Sequence, residues 1–240
     1  THGGRRHYCP NAPVYREYTR RIVEKLLGEF SRYDHIKLWQ IDNELGGDCY
    51  CDCCARAFHR WLESRYGTVH ALNAAWNLAI WSQAYQRFDQ VPLPFPRELR
   101  AWHHPSLFMA YRNFMSDSYC EYAAFQAGII KSKTQVPVST NARELIINRF
   151  DYPKMFRQLD VVTQDIYKDI PDAWKFAYEF DWLRPVKLEV PFWLVETHAT
   201  WGGSLTVDSN HVYHPGLVRA KMWLAFALGS EAVMFWVWRA

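Results

Sequence analysis

No run of eighteen consecutive apolar residues occurs in the 240-residue chain; the nearest candidate, Met222 to Trp238, is interrupted by Gly229, Ser230 and Glu231. A helical membrane span takes about 20 predominantly apolar residues, so none is expected. A large excess of charge is also missing: 28 Lys and Arg stand against 25 Asp and Glu, a formal net charge of +3. Proteins that hold polyanions through a basic surface need a stronger bias, which sets nucleic acid aside as a partner. There is no internal repeat, no low-complexity tract, and no Gly-rich phosphate loop of the GxGxxG or Walker type after a strand-like run. Cysteines are few, six in all, and unevenly spread. Aromatics are plentiful: 17% of residues, with 12 Trp, 14 Tyr and 14 Phe. Flat apolar faces with one polar edge serve cores, and they also serve sugar rings. With 49% hydrophobic and 22% charged residues the composition is that of a globular domain, which excludes disorder, and the length fits one large domain or two small ones.

Along the chain, apolar residues recur at helical spacing from Asn11 to Tyr33 (Val14, Tyr15, Tyr18, Ile22, Leu26, Phe30), with Asn11 as the expected cap. Arg20-Arg21 reads as a solvated face of that helix. Ile36, Leu38 and Ile41 mark a short buried strand that runs out in Asp42-Asn43-Glu44. Ala55 to Tyr66 is expected to be helical and to end at Gly67; residues 68–105 read as loop-rich, with Pro92, Pro94, Pro96 and Pro105 as breakers. A long helix is expected from Ser106 to Lys131, then strands at 136–141 and 159–167, a helix from Ala173 to Leu183, a strand at 190–196, a helix from His214 to Leu228 and a strand from Glu231 to Trp238. Alternation of strand and helix predicts an α/β fold with a parallel sheet covered on both faces. Each strand finishes in a polar residue: Glu44, Asn141, Asp165 with Tyr167, Glu196, Arg239. In a (β/α)₈ TIM barrel those strand ends carry the active site, and five such strands make a contiguous arc of one. Thr1 to Cys9 reads as mid-domain loop, and nothing caps the run at Trp238-Arg239-Ala240, so the expectation is a piece of a longer chain that is inactive on its own.

Two constellations carry chemistry. Asn43-Glu44 and Glu196 each follow an apolar strand run, where an ionisable group is costly without a purpose. A pair of carboxyls facing one pocket is what glycosidic cleavage needs, one protonated to donate and one ionised to attack or to activate water. The bland alternative is a loop cap and a surface ion pair. Separately, Cys49, Cys51, Cys53 and Cys54 fall within six residues, with Cys9 upstream and Cys120 apart. Disulfide frameworks spread their cysteines, whereas metal ligands cluster, so Cys49-x-Cys51-x-x-Cys54 with Cys9 predicts a closed structural zinc site, Cys53 pointing elsewhere. The alternative is buried or redox-active thiols. A reduced cluster fits a cytoplasmic protein. Of the tryptophans, Trp39, Trp193, Trp223, Trp236 and Trp238 read as core, and Trp76, Trp81 and Trp201 as near loops. His198, His211 and His214 read as polar loop positions, with His198 close enough in sequence to Glu196 to line a pocket.

These residues resemble a known family. Arg5-Arg6-His7-Tyr8-Cys9-Pro10-Asn11, Trp39-Gln40-Ile41-Asp42-Asn43-Glu44, the cysteine loop, Asn73-x-x-Trp76 and Trp81-Ser82-Gln83 are similar to the catalytic domain of glycoside hydrolase family 42 β-galactosidases. Ser139-Thr140-Asn141, Asp165-Ile166-Tyr167, the strand into Glu196, and Phe235-Trp236-x-Trp238-Arg239 continue the likeness in the same order over essentially all 240 residues. The segment Glu196-Thr-His-Ala-Thr-Trp201-Gly-Gly departs from the family pattern. The resemblance implies one partial TIM-barrel domain over 1–240, about strands four to eight, with a zinc-binding cysteine loop near 46–54. It implies a retaining double displacement on terminal β-galactosides, with Glu44 as general acid/base and Glu196 as nucleophile. Arg5, Asn43, Trp81, Asn141, Tyr167 and Trp201 would contact sugar or wall the pocket, Asn43 through the 2-hydroxyl. Cys9, Cys49, Cys51 and Cys54 would hold zinc, and a homotrimer is implied for the whole protein. Related readings are a β-fucosidase, an α-L-arabinopyranosidase, or a zinc-stabilised carbohydrate-binding module without catalysis.

Overall fold

The structure, a computed structural model, describes residues 7–94, 103–143, 150–168, 173–190, 192–199 and 216–236. The chain divides into two compact units, one of Thr1–Ile22 with Gly46–Tyr122 and the other of Val23–Leu45 with Ala123–Ala240. Two helices, α1 (Pro13–Phe30) and α4 (Pro105–Lys131), contribute residues to both.

The first unit is helical. Here α2 (Asp52–Tyr66) ends at Gly67, whose φ of +71° lets its N–H reach Glu63 O. It starts three residues earlier than Ala55, because Cys51 takes the cap position and its carbonyl accepts Ala55 N–H at 3.0 Å. Residues after 68 are not all loop: α3 (Val69–Trp76) forms there, its first turn closed by Thr68, whose hydroxyl oxygen accepts Ala71 N–H. Asn73 clamps the following loop by bonding both the N–H and the carbonyl of Tyr85. Phe58, Leu62, Leu72, Tyr111 and Phe114 make a core in which Phe58 meets Tyr111 edge-on at 5.0 Å.

The entry to α1 differs from the sequence reading. The Asn11 side chain donates to Ser118 Oγ and Cys54 Sγ instead of capping the helix, and the first helical carbonyl is that of Ala12. Pro13 opens the helix, where its missing N–H costs nothing. The buried row is Thr19, Val23 and Leu27, while Val14, Tyr18, Ile22, Leu26 and Phe30 are exposed. Two adjoining rows of this helix are apolar, and periodicity alone does not choose between them.

The second unit holds the sheet. Strands β1 (Trp39–Gln40) and β2 (Val138–Ser139) pair, and β3 (Asn141–Ala142), β4 (Val162–Asp165), β5 (Phe192–Glu196) and β6 (Ser230–Val233) follow in that order, every pairing parallel. Thr140 joins the two sheets. Its hydroxyl donates to Ile41 O at 2.8 Å, and its carbonyl accepts the Thr163 hydroxyl at 2.7 Å. One segment therefore serves both, giving five parallel strands in chain order, as expected. Helices α5 (Tyr152–Phe156), α6 (Ala173–Leu183) and α7 (Leu217–Ala227) separate the later strands. Strand β1 is shorter than the run from Ile36, whose Ile36 and Leu38 are only half-buried at a sheet edge. The core reading of Trp223 and Trp236 is corrected, since both are exposed; Trp76 is buried on α3, its indole N–H on the Tyr66 hydroxyl. Trp39 and Trp193, also read as core, are only half-buried, and Trp238 lies outside the described residues. Among the described residues no helix is long and apolar enough to cross a membrane.

Candidate active site

In the second unit the C-terminal ends of the strands bring together Asn43-Glu44, Asn141, Asp165, Tyr167 and Glu196. Asp165 and Glu196 are register partners across β4 and β5. One carboxylate oxygen from each of Glu44, Asp165 and Glu196 lies within 4.8 Å of the other two. Glu44 gets there by a sharp exit from β1: Asp42 and Glu44 have φ of 54° and 43°, left-handed backbone that side-chain-bearing residues rarely adopt. Two hydrogen bonds hold this strained turn. Asp42 Oδ1 accepts Asn43 N–H at 2.8 Å, and Asn141 Oδ1 accepts Glu44 N–H at 2.7 Å.

Asn141, fully buried, is the hub. Its Nδ2 stands 2.7 Å from Asp165 Oδ2, 3.0 Å from Asn43 Oδ1 and 3.1 Å from Glu196 Oε1. Two hydrogens face three acceptors, so the amide ties the two glutamate-bearing loops to the strand between them. Glu196 is fixed from its other side by the Tyr167 hydroxyl, which donates to Oε2 at 2.7 Å. Burial, then that bond, pushes the Tyr167 phenol above its ordinary range, so it stays a donor at every working pH. The Tyr167 ring stacks on His198 at 5.7 Å, and the buried Lys221 ammonium lies 3.3 Å from His198 Nε2. Arg143 Nε is 3.6 Å from Glu44 Oε2, and the Arg143 N–H donates to the Tyr152 hydroxyl.

Two members of this cluster were not assigned a role from sequence. Asp165 was visible as the polar end of its strand, and Arg143 sits two residues beyond Asn141, on the same side of an extended segment. Of the expected sugar contacts, Asn43, Asn141 and Tyr167 are in the cluster. Trp81 belongs to the first unit, exposed and with a left-handed φ of 56°. Arg5 and Trp201 lie outside the described residues.

The first unit gathers Cys9, Cys49, Cys51 and Cys54, one sulfur from each within 4.8 Å of the others. Cys9 Sγ is 3.4 Å from Cys54 Sγ and 3.5 Å from Cys51 Sγ. Four sulfurs about 2.3 Å from a tetrahedral ion would be about 3.8 Å apart, close to the spacing of Cys9 from Cys54 and Cys51, so the four could hold a zinc ion. Cys51 caps α2 and Cys54 lies in its first turn, where the helix dipole favours thiolate. Hydrogen bonds from Cys54 and Cys9 pull the Cys49 thiol down to about 2, whereas the Cys49 sulfur pushes Cys9 up to about 12 and Cys54 upward too. A divalent cation is what would let all four be thiolates. Cys53 is apart, with Arg56 on its sulfur.

The sequence model of glycoside hydrolase family 42, described as beta-galactosidase, matches residues 1–240. Beta-galactosidase YesZ of Bacillus licheniformis is 34% identical over 242 residues, covering 99% of this chain and 36% of that protein. Beta-galactosidase Bga of Halorubrum lacusprofundi is 36% identical over 266 residues, covering 99% of this chain and 36% of its own length. The solved structure of the beta-galactosidase from Halorubrum lacusprofundi superposes with a TM-score of 0.89 at 34% identity, over all of this chain and 38% of that one. The chain thus spans about a third of the length of the curated relatives it matches. Sequence, fold and the carboxylate-bearing strand ends agree: the chain belongs to glycoside hydrolase family 42, and its parallel strands are part of that family's TIM barrel.

Proposed function

We propose that the whole protein is a retaining exo-β-galactosidase in which Glu44 is the general acid/base and Glu196 the nucleophile. The observation that carries the reading is the spacing of the two glutamates, whose nearer oxygens lie within 4.8 Å. Retaining enzymes hold their carboxyl groups about 5–5.5 Å apart, and inverting ones need about 6.5–9.5 Å to admit a water. In the first step Glu44 gives its proton to the glycosidic oxygen while the Glu196 carboxylate attacks the anomeric carbon. The carbon–oxygen bond to the leaving group breaks and a glycosyl ester forms. Glu44, now ionised, takes a proton from water, whose oxygen displaces Glu196 and releases the sugar with its configuration kept.

The surrounding groups suit these roles. Tyr167 and Asn141 hold the two oxygens of Glu196, and Asn43 is placed for the sugar 2-hydroxyl. Arg5, Trp81 and Trp201 complete the sugar contacts by family resemblance. Zinc at Cys9, Cys49, Cys51 and Cys54 would be structural, since an all-thiolate shell leaves no open coordination position. A homotrimer located in the cytoplasm completes the reading. The beta-galactosidase names of the relatives support galactoside as substrate.

A plate of nitrophenyl glycosides with the whole protein tests this. The β-galactoside is expected to be the best substrate; preference for the β-fucoside or the α-L-arabinopyranoside would move the specificity, and no hydrolysis of any would remove the enzyme reading. Tyr167→Phe deletes one charge-assisted hydrogen bond to the nucleophile. With the donor worth about 1.5–3 kcal/mol, kcat should fall about 10- to 100-fold, measured by steady-state kinetics on the same substrate.

A further inference from the structure

We propose that Asp165 is a positioning residue of this reaction, a buried carboxylic acid that keeps its proton while it anchors Asn141, so that Glu196 is the charged partner in their register pair. The inference rests on the glycosidase reading for its role and on geometry for its protonation. Asp165 is 1% exposed. Its Oδ2 has one donor, the Asn141 amide at 2.7 Å, and its Oδ1 is buried with no hydrogen-bond partner among the described residues. An ionised carboxylate can accept about four hydrogen bonds, and this one has a quarter of that. A neutral acid in the same place leaves one O–H on Oδ1 to satisfy, which costs less than a buried full charge with a single donor.

The charges around it lead to the same conclusion. Glu44 and Glu196 approach within 4.8 Å, and among the described residues the cation facing the group, Arg143, is engaged with Glu44 at 3.6 Å. The two phenols near it, Tyr152 and Tyr167, are both held above their ordinary range, chiefly by burial, and stay neutral. Among the described residues, three carboxylates against one guanidinium would leave a net charge of −2 around a buried group. A proton on Asp165 removes part of that excess, and Asp165 is the most buried of the three. Burial first, then Glu196 and Glu44, push its carboxyl up to about 9 from an ordinary 3.8. Ionised, Asp165 would set a second negative charge in register with Glu196 and draw a proton onto the nucleophile. Protonated, it fixes the amide that also holds the Glu44 N–H, without competing for charge.

The linkage has a definite sign. The folded state keeps this proton up to about pH 9, while the unfolded chain releases it near 3.8. The stability Asp165 contributes is therefore full below the lower value and is lost steadily as pH rises to the upper one. The test uses Asp165→Asn, which has the shape and hydrogen bonding of the neutral acid, and Asp165→Ala, both in the whole protein. The difference in melting temperature, Asp165→Asn minus wild type, should grow from pH 5 to pH 9 and then level off. A difference that is flat or shrinks over that range would overturn the proposal, and this readout needs no turnover. With nitrophenyl β-galactoside, Asp165→Asn should lower kcat about five-fold at neutral pH, against about 100-fold for Asp165→Ala. Above about pH 9 the wild-type kcat/KM should fall more steeply than that of Asp165→Asn, which has one proton fewer to lose. Equal damage from the two variants, or identical pH profiles for Asp165→Asn and wild type, would refute the positioning role. If wild type hydrolyses no galactoside, the glycosidase reading fails, and the melting experiment still decides the protonation.

Discussion

Glu196→Gly in the whole protein is expected to lower kcat for a nitrophenyl β-galactoside by about 10⁴-fold or more, because it removes the carboxylate that forms the glycosyl ester. The geometry makes the loss specific. Glu196 ends β5 with each oxygen already claimed, one by the Asn141 amide at 3.1 Å and one by the Tyr167 hydroxyl at 2.7 Å. Glycine removes the carboxylate and leaves both donors facing a cavity large enough for a small anion. Azide supplied in solution should occupy it, attack the anomeric carbon from the vacated side and restore release of nitrophenol. The product would be an α-galactosyl azide, since a single displacement inverts the centre that two displacements retain. Thin-layer chromatography and proton NMR of the product distinguish the anomers. A β-galactosyl azide, or no rescue with substrate still turned over slowly, would place the nucleophile elsewhere. The corresponding change at Glu44 should yield the β-azide, so the two variants together assign both roles.

The site was legible in sequence to the extent that strand ends are. Glu44, Asn141, Asp165 and Glu196 all terminate apolar runs, where a polar or ionisable group is costly without a purpose. What sequence could not supply was the meeting of those ends. That Asp165 stands in register with Glu196 follows from a pairing shift between Gln164 and Asp165, which no hydrophobic pattern records. Arg143 was invisible for a related reason, since its contact with Glu44 spans 99 positions and depends on the left-handed turn at Glu44. The gathering of the cysteines was readable because most of them are local in sequence, and only Cys9 had to be recruited from a distance. Errors concentrated where local signals conflicted. In α1 two apolar rows competed and the row with Thr19 was the buried one, its hydroxyl bonded to the hydroxyl of Tyr122. In α3 the prolines downstream drew the reading toward loop, although Thr68 is a good helix cap and Val69 to Trp76 contains no breaker. Aromatic abundance misled as well, since Trp223 on α7 and Trp236 after β6 carry apolar rings that this structure exposes.

Removing the proposed zinc should cost the protein more in stability than in chemistry. Cys54 is the test position, fully buried, in the first turn of α2 and 3.4 Å from Cys9 Sγ. In Cys54→Ser the sulfur is replaced by a smaller, harder donor that stays protonated at neutral pH, so the four-thiolate shell is lost. The cluster ties the segment before α1 to the loop before α2, and these are not otherwise stitched by any disulfide, all six cysteines being free thiols. A loss of about 3 kcal/mol of the metal's contribution lowers a melting temperature by about 10 °C in a domain of this size. We expect that shift in the first thermal transition of the whole protein, with metal content falling from about one zinc per chain to well below it. A chelator added to wild type should reproduce the shift, and added zinc should reverse it in wild type but not in Cys54→Ser. The kcat of molecules still folded should change far less than their melting temperature does, because a closed shell offers no position to substrate or water. Metal analysis finding no zinc in wild type would return the cluster to ordinary thiols. A fall in kcat as large as that of Glu196→Gly, with the melting temperature unmoved, would make the metal a participant in the chemistry.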